Sequence, residues 1–228
     1  MFYLDWTYLL IIPGLVLGIW AQSRVNRAYQ EYSRVSTGLG RSASQVVAEL
    51  LRRNGNNVVQ VGRVSGQLTD HYDPGKELLN LSEGVYGSNS VAALGIAAHE
   101  AGHAMQKLEG YGPLKLRTAA VPVVNIGSRA STPLFLLGLV MSWQPLVYVG
   151  IALFSLSVLF SLITLPVEFD ASNRAIRMLT EGGYVTESER SGVKAVLNAA
   201  ALTYVASAIA SILSLLRLLL IARSRDRD

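Results

Sequence analysis

The chain has 228 residues and a formal net charge of +4; 50% of its residues are hydrophobic and only 16% are charged, against about 25% charged in an ordinary soluble domain. That balance excludes a simple soluble domain, a disordered tail and a collagen-like repeat. The absence of cysteine excludes a disulfide framework and a thiolate metal site.

The missing charge is explained by four apolar segments, Leu4–Ala21, Thr118–Ser142, Leu146–Val167 and Ala199–Ala222, whose only charged residues are Asp5, Arg129 and Arg217. Each is near the length that crosses a hydrocarbon core of about 30 Å at about 1.5 Å per residue. The expected fold class is mainly α, integral membrane. It has about four transmembrane helices (4–21, 118–142, 146–167, 199–222) and a small polar domain built from 22–117 and 168–198. The whole of 1–228 reads as a single domain. The basic residues are scattered or flank the spans, which suits a lipid bilayer and its anionic headgroups and gives no nucleic-acid partner.

In chain order, Leu4–Ala21 reads as an uncleaved anchor. Asp5 stands where a signal peptide carries basic residues, and Arg24 and Arg27 follow the apolar run. Ser42 or Ser44 caps a short helix to about Arg53, with Val46, Val47, Leu50 and Leu51 as its apolar stripe and Gly55 beyond its end. Val58–Val64 alternates loosely, as a strand does. Gln67–Tyr72 and Glu77–Ser82 flank the turn Asp73-Pro74-Gly75-Lys76 and predict a β-hairpin. The serines at 88 and 90 provide an N-cap for a helix over Val91–Lys107. The second span carries Pro122, Asn125, Arg129 and Pro133 and is expected to be kinked, partly protein-facing or shifted toward one interface. Pro166 is expected to start a new helical segment after the third span. Thr186 to Glu189 has the form of a capping box that opens the last helix. Lysines and arginines at 24, 27, 34, 107, 115, 117, 174, 177, 190 and 194 fall on one side of a four-span topology. That side is expected to be cytoplasmic, with the N-terminus outside; the tail Arg223–Asp228 argues the other way.

The chemistry is carried by His99-Glu100-Ala101-Gly102-His103, an H-E-x-x-H sequence inside the predicted helix 91–107. Two histidines at i and i+4 share one helix face, so both imidazoles can reach one zinc ion. Glu100 can take a proton from metal-bound water and pass it to the leaving amine. The alternative, a chance match on a core helix, leaves two histidines and a glutamate buried without a use. A catalytic zinc site needs a third protein ligand and one open position. His71 is one candidate. The other is an acidic residue, for which Glu168 is favoured because it leaves the third span next to the headgroups, although a solvated residue at a helix start fits it too.

The blocks His99–Ala104, Leu68–Pro74, Asn80–Ser82 and Glu168–Ala175 together resemble the YugP family of membrane-embedded neutral zinc metallopeptidases and, more distantly, HtpX proteases and CAAX prenyl endopeptidases. The resemblance spans nearly the whole chain. It implies His99 and His103 as zinc ligands, Glu168 as the third ligand, Glu100 as catalytic base and one Zn2+ per chain. The HtpX-like pattern has an aspartate four residues after the ligand glutamate, where this chain has Ser172. Asp170 lies about 200° round a helix from Glu168. Ser172 as a hydroxyl partner, or Asp170 on an irregular helix, are the candidates for orienting a ligand imidazole. His71 either stabilises a tetrahedral oxyanion or orders the hairpin turn together with Asp70 and Asp73. Leu78, Leu79, Asn80 and Leu81 are expected to form an edge strand that pairs with an extended substrate. Arg174 and Arg177 are expected to be solvated or lipid-facing, the lesser alternative being contact with a substrate carboxylate.

The expected function is zinc-dependent hydrolysis of peptide bonds in membrane proteins or peptides, at the cytoplasmic face of a bacterial plasma membrane. The rival readings are a zinc-binding membrane sensor or chaperone without hydrolysis, and a scaffold in which zinc only stabilises the fold. Regulatory membrane-protein partners are compatible with this reading, and the sequence names none.

Overall fold

The computed structural model describes residues 6–225; positions 4 and 5 of the first expected span and 226–228 of the tail lie outside the described residues. A 3-10 turn (Trp6–Leu10) leads into α1 (Ile12–Tyr32). There follow α2 (Ala43–Arg53), β1 (Gln60–Val64), β2 (His71–Asp73), β3 (Leu78–Ser82), the single turn α3 (Glu83–Tyr86) and α4 (Val91–Leu108). Three long helices close the chain: α5 (Gly112–Val140), α6 (Gln144–Glu181) and α7 (Glu187–Arg225). Two compact units result, Met1–Ala21 with Leu116–Leu165 and Thr203–Asp228, and Gln22–Lys115 with Pro166–Leu202.

In the first unit, the apolar character of the segments is not spent on a protein core. The four helices long and apolar enough to cross a membrane are Trp6–Tyr32, Gly112–Val140, Gln144–Glu181 and Glu187–Ser224, and only 11–22% of their most apolar windows is buried. The uncovered remainder is the surface a bilayer would solvate. Phe135, Val147, Ile151 and Ala222 form a small buried cluster. Arg217 places its guanidinium 3.9 Å from the centroid of the Tyr8 ring, a cation–π contact that covers its charge. One proline expectation needs correction. α5 runs through Pro122 and Pro133, and α6 runs through Pro166, without a break. Pro166 therefore does not begin a separate helix. A single missing N–H costs one ladder bond, which long flanking helical segments absorb.

The second unit holds the larger core. Ser42 caps α2 with a reciprocal box, its side chain accepting from the Gln45 N–H while the Gln45 side chain accepts from the Ser42 N–H. The stripe Val46, Val47, Leu50 and Leu51 is buried against a cluster that includes Leu79, Leu81, Val91, Leu94, Ala98, Ala101, Leu179 and Val193. The hairpin turn is held by Asp73, whose Oδ1 accepts from the N–H groups of Gly75 and Lys76 at 2.9 and 3.2 Å. Asp70 accepts from the Ser82 N–H and hydroxyl.

β2 and β3 pair antiparallel, as the turn predicts, with Tyr72 opposite Leu79. β1 also pairs with β3, in parallel, with Gly62 opposite Asn80, giving the order β1-β3-β2. This corrects the expectation for Leu78, Leu79, Asn80 and Leu81. They form the central strand, with both edges taken, and cannot receive a further strand. The outer strands are β1 and β2.

Candidate metal centre

Ser90 caps α4, accepting from the Ala93 N–H at 3.2 Å. Small residues at 97, 98, 101, 102 and 104 let the helix sink into the core, where all of them are buried. The closest approach is at Gly102: a Cβ built there would lie 2.5 Å from the Ala171 carbonyl oxygen of α6. Only hydrogen fits, so the two helices meet at that point and the side chains one turn away converge.

His99 and His103 stand one turn apart with ring centroids 4.8 Å apart and planes at 84°. Glu168, from α6, is 2% exposed, and its Oε2 lies 3.2 Å from His99 Nε2 and 3.6 Å from His103 Nε2. Among the described residues these three form the one group of histidines and acids able to hold a metal ion, with their ligand atoms within 4.8 Å of one another. The donor set fits zinc. Zn–N and Zn–O bonds of about 2.0–2.2 Å in a tetrahedron set neighbouring ligand atoms about 3.3–3.6 Å apart, within about 0.1 Å of the 3.2 and 3.6 Å that Glu168 makes with the two imidazoles.

The outer nitrogen of each imidazole has its own partner. His99 Nδ1 lies 3.1 Å from Ser172 Oγ. His103 Nδ1 lies 3.0 Å from Gln106 Oε1. Gln106 Nε2 donates to the Val167 carbonyl and to Asp170 Oδ2, each at 2.8 Å. Asp170 also accepts from Arg174 Nε at 2.5 Å, and Arg174 Nη1 reaches Glu109 Oε2 at 2.6 Å. Asp170 thus touches His103 only through Gln106. Arg174, expected to be solvated or lipid-facing, is instead held between two carboxylates with its side chain 13% exposed.

Glu100 accepts from the backbone N–H of Tyr72 at 2.9 Å through Oε2, and its Oε1 has no hydrogen bond among the described residues. The Tyr72 N–H therefore points away from β3, along the outer edge of β2 and toward α4. The hairpin is fastened to α4 a second way: the Tyr72 hydroxyl donates to Glu77 Oε2 at 2.5 Å, and Lys107 Nζ donates to Glu77 Oε1 and the Pro74 carbonyl. His71 lies outside the three-donor group. Its Nδ1 is 2.9 Å from the Thr69 carbonyl and its Nε2 is 3.1 Å from Asn80 Nδ2, on an exposed face of the hairpin.

The electrostatics follow from these contacts. Burial opposes a charge on His103, but the Glu168 hydrogen bond and the charges of Glu100 and Glu168 outweigh it and raise its pKa. The Lys107 ammonium, seconded by the Tyr72 hydroxyl, holds the Glu77 carboxyl below its ordinary value. Burial, and then Glu77, push the Tyr72 hydroxyl up.

The sequence reading missed Gln106, Glu109 and the Tyr72 amide. Gln106 carries a signal in hindsight, a polar residue three positions after a histidine on the same helix face; a backbone N–H carries none.

The family described as "Putative neutral zinc metallopeptidase" matches residues 7–223, and the chain belongs to it. It is 45% identical over 220 residues, 96% of this chain and 98% of the relative, to the protein of Bacillus subtilis (strain 168) named "Putative membrane protease YugP". No solved structure matches the chain.

Proposed function

We propose that the chain, with 1–228 acting as one membrane metallopeptidase domain, is a zinc-dependent endopeptidase that cuts membrane proteins or peptides at the bilayer surface. The observation that carries this reading is the convergence of Glu168 Oε2 on both imidazole nitrogens beside a carboxylate, Glu100, that has one oxygen to spare. His99, His103 and Glu168 would hold the ion. Zinc, when bound, supplies Lewis acidity: it lowers the pKa of water at its open position toward about 7 and polarises a carbonyl.

Glu100 does the proton work. Its Oε2 is anchored by the Tyr72 N–H, and its Oε1 takes a proton from the attacking water as the oxygen bonds to the carbonyl carbon. The same carboxyl then delivers that proton to the amine nitrogen as the C–N bond breaks. Ser172 holds His99. His71 has no chemical step and orders the hairpin. The distribution of lysine and arginine supports a cytoplasmic site in a bacterial plasma membrane.

Two measurements test the reading. Purified protein should carry one zinc ion per chain. Glu100→Gln should keep that zinc and lose turnover by about 100-fold or more, and uncut peptides should accumulate in membranes that contain only the variant. Cleavage by Glu100→Gln at the wild-type rate refutes it.

A further inference from the structure

We infer that Gln106 is a positioning residue: it fixes the tautomer of His103 and so aims the Nε2 lone pair at the metal position. The inference rests on the proposed role of His103 as a ligand and adds to it.

Gln106 is fully buried, so every hydrogen bond of its amide is accounted for by protein. A primary amide has two N–H donors on one side and an acceptor oxygen on the other. The Gln106 nitrogen faces the Val167 carbonyl and Asp170 Oδ2, both at 2.8 Å. Both partners are acceptors. Turning the amide over would press its oxygen against a carbonyl and a carboxylate, two acceptors with no hydrogen between, so the orientation is settled by chemistry. The oxygen must therefore face His103 Nδ1 at 3.0 Å, and an acceptor there requires the hydrogen to sit on Nδ1. A neutral imidazole carries one N–H. Placing it on Nδ1 leaves the lone pair on Nε2, the nitrogen 3.6 Å from Glu168 Oε2.

The amide is itself held in place. Asp170 Oδ2 also accepts from Arg174 Nε, and Arg174 is tied to Glu109 at the end of α4. A chain of hydrogen bonds, charge-assisted as far as Gln106, thus runs from Glu109 through Arg174, Asp170 and Gln106 to the ring. It explains how Asp170 acts on the site although its position on α6 faces away from Glu168. His99 is treated differently. Its Nδ1 meets the Ser172 hydroxyl, which can donate or accept and so dictates no tautomer.

The test uses full-length protein in detergent with zinc alone as the probe. Zinc affinity is read by chelator competition, thermal stability by circular dichroism, and the ring state by 15N-histidine NMR of the zinc-loaded protein. Only three histidines contribute signals. Gln106→Met removes the acceptor; zinc affinity should fall by about 10–100-fold, and the Nδ1–H pattern of His103 should be lost. Gln106→Glu keeps an acceptor oxygen toward Nδ1 but sets its other oxygen against Val167 and Asp170. Its melting temperature should fall at least as far as that of Gln106→Met, while zinc affinity stays within about threefold of wild type. Affinity that follows melting temperature in both variants, unchanged affinity in Gln106→Met, or failure of both variants to fold would each overturn the inference by making the role structural. Wild-type protein that binds no zinc would overturn the ligand reading, and this inference with it. A wild type that binds zinc beside an unaffected Gln106→Met would overturn this inference alone.

Discussion

Gly102→Ala offers the sharpest test of how the two helices create the centre. The added Cβ would sit 2.5 Å from the Ala171 carbonyl oxygen and 3.0 Å from its carbonyl carbon and Cα, all backbone atoms that cannot rotate away. Ordinary contact begins near 3.4 Å, so α6 must retreat from α4 by about 0.9 Å at this point. Ala171 is three residues from Glu168 on the same helix, and the carboxylate moves with it. Metal–ligand distances tolerate only about 0.2 Å. A misplacement of about 1 Å near the chemistry costs on the order of 100-fold in rate. Stability should respond far less: overpacking costs about 1–3 kcal/mol, and alanine recovers about 1 kcal/mol of helix propensity over glycine. The expected result is a folded protein with a melting temperature a few degrees lower, zinc affinity reduced at least about 10-fold and turnover reduced about 100-fold. Chelator competition, thermal denaturation and a peptide-cleavage assay measure the three. Gly87→Ala is the control, since nothing lies within 4 Å of a Cβ there and its φ is −93°. Wild-type zinc affinity and rate in Gly102→Ala would refute the claim that close helix approach sets the ligand geometry.

Ser172→Ala removes the partner of His99 Nδ1 and should weaken zinc binding by about 10-fold with little change in melting temperature; an unchanged dissociation constant would show that the hydroxyl does not matter. The Glu77 carboxyl lies below its ordinary value of 4.5 because of Lys107 and Tyr72. Between its folded and unfolded values the folded state binds fewer protons, so its contribution is complete above about pH 4.5 and is lost as pH falls through the folded value. Glu77→Gln should lower the melting temperature at neutral pH and flatten its decline in that acidic range, which thermal scans from pH 3 to pH 7 would register.

What could be read from the chain was whatever depends on near neighbours. The four apolar spans announce themselves by length, α2 by Ser42 and its stripe, the hairpin by Asp73-Pro74-Gly75, and the pairing of His99 with His103 by a single helical turn. The parallel pairing of β1 with β3 joins residues about 18 apart without a tight turn, and no local pattern encodes it. For that reason Leu78–Leu81 looked like an edge. Pro166 looked like a boundary because a proline weighs heavily in a short window and little inside a 38-residue helix. Gln106 and Arg174 escaped because their partners, Asp170 and Glu109, lie 64 and 65 positions away.

The proposed donors are split between α4 and α6, 69 positions apart. A ribosome releases the imidazole pair well before it releases Glu168, and two apolar helices must be threaded into the bilayer in between. During its own biogenesis the nascent chain therefore holds an incomplete claw, and proteolytic power would arrive only once the third helix has been inserted and docked.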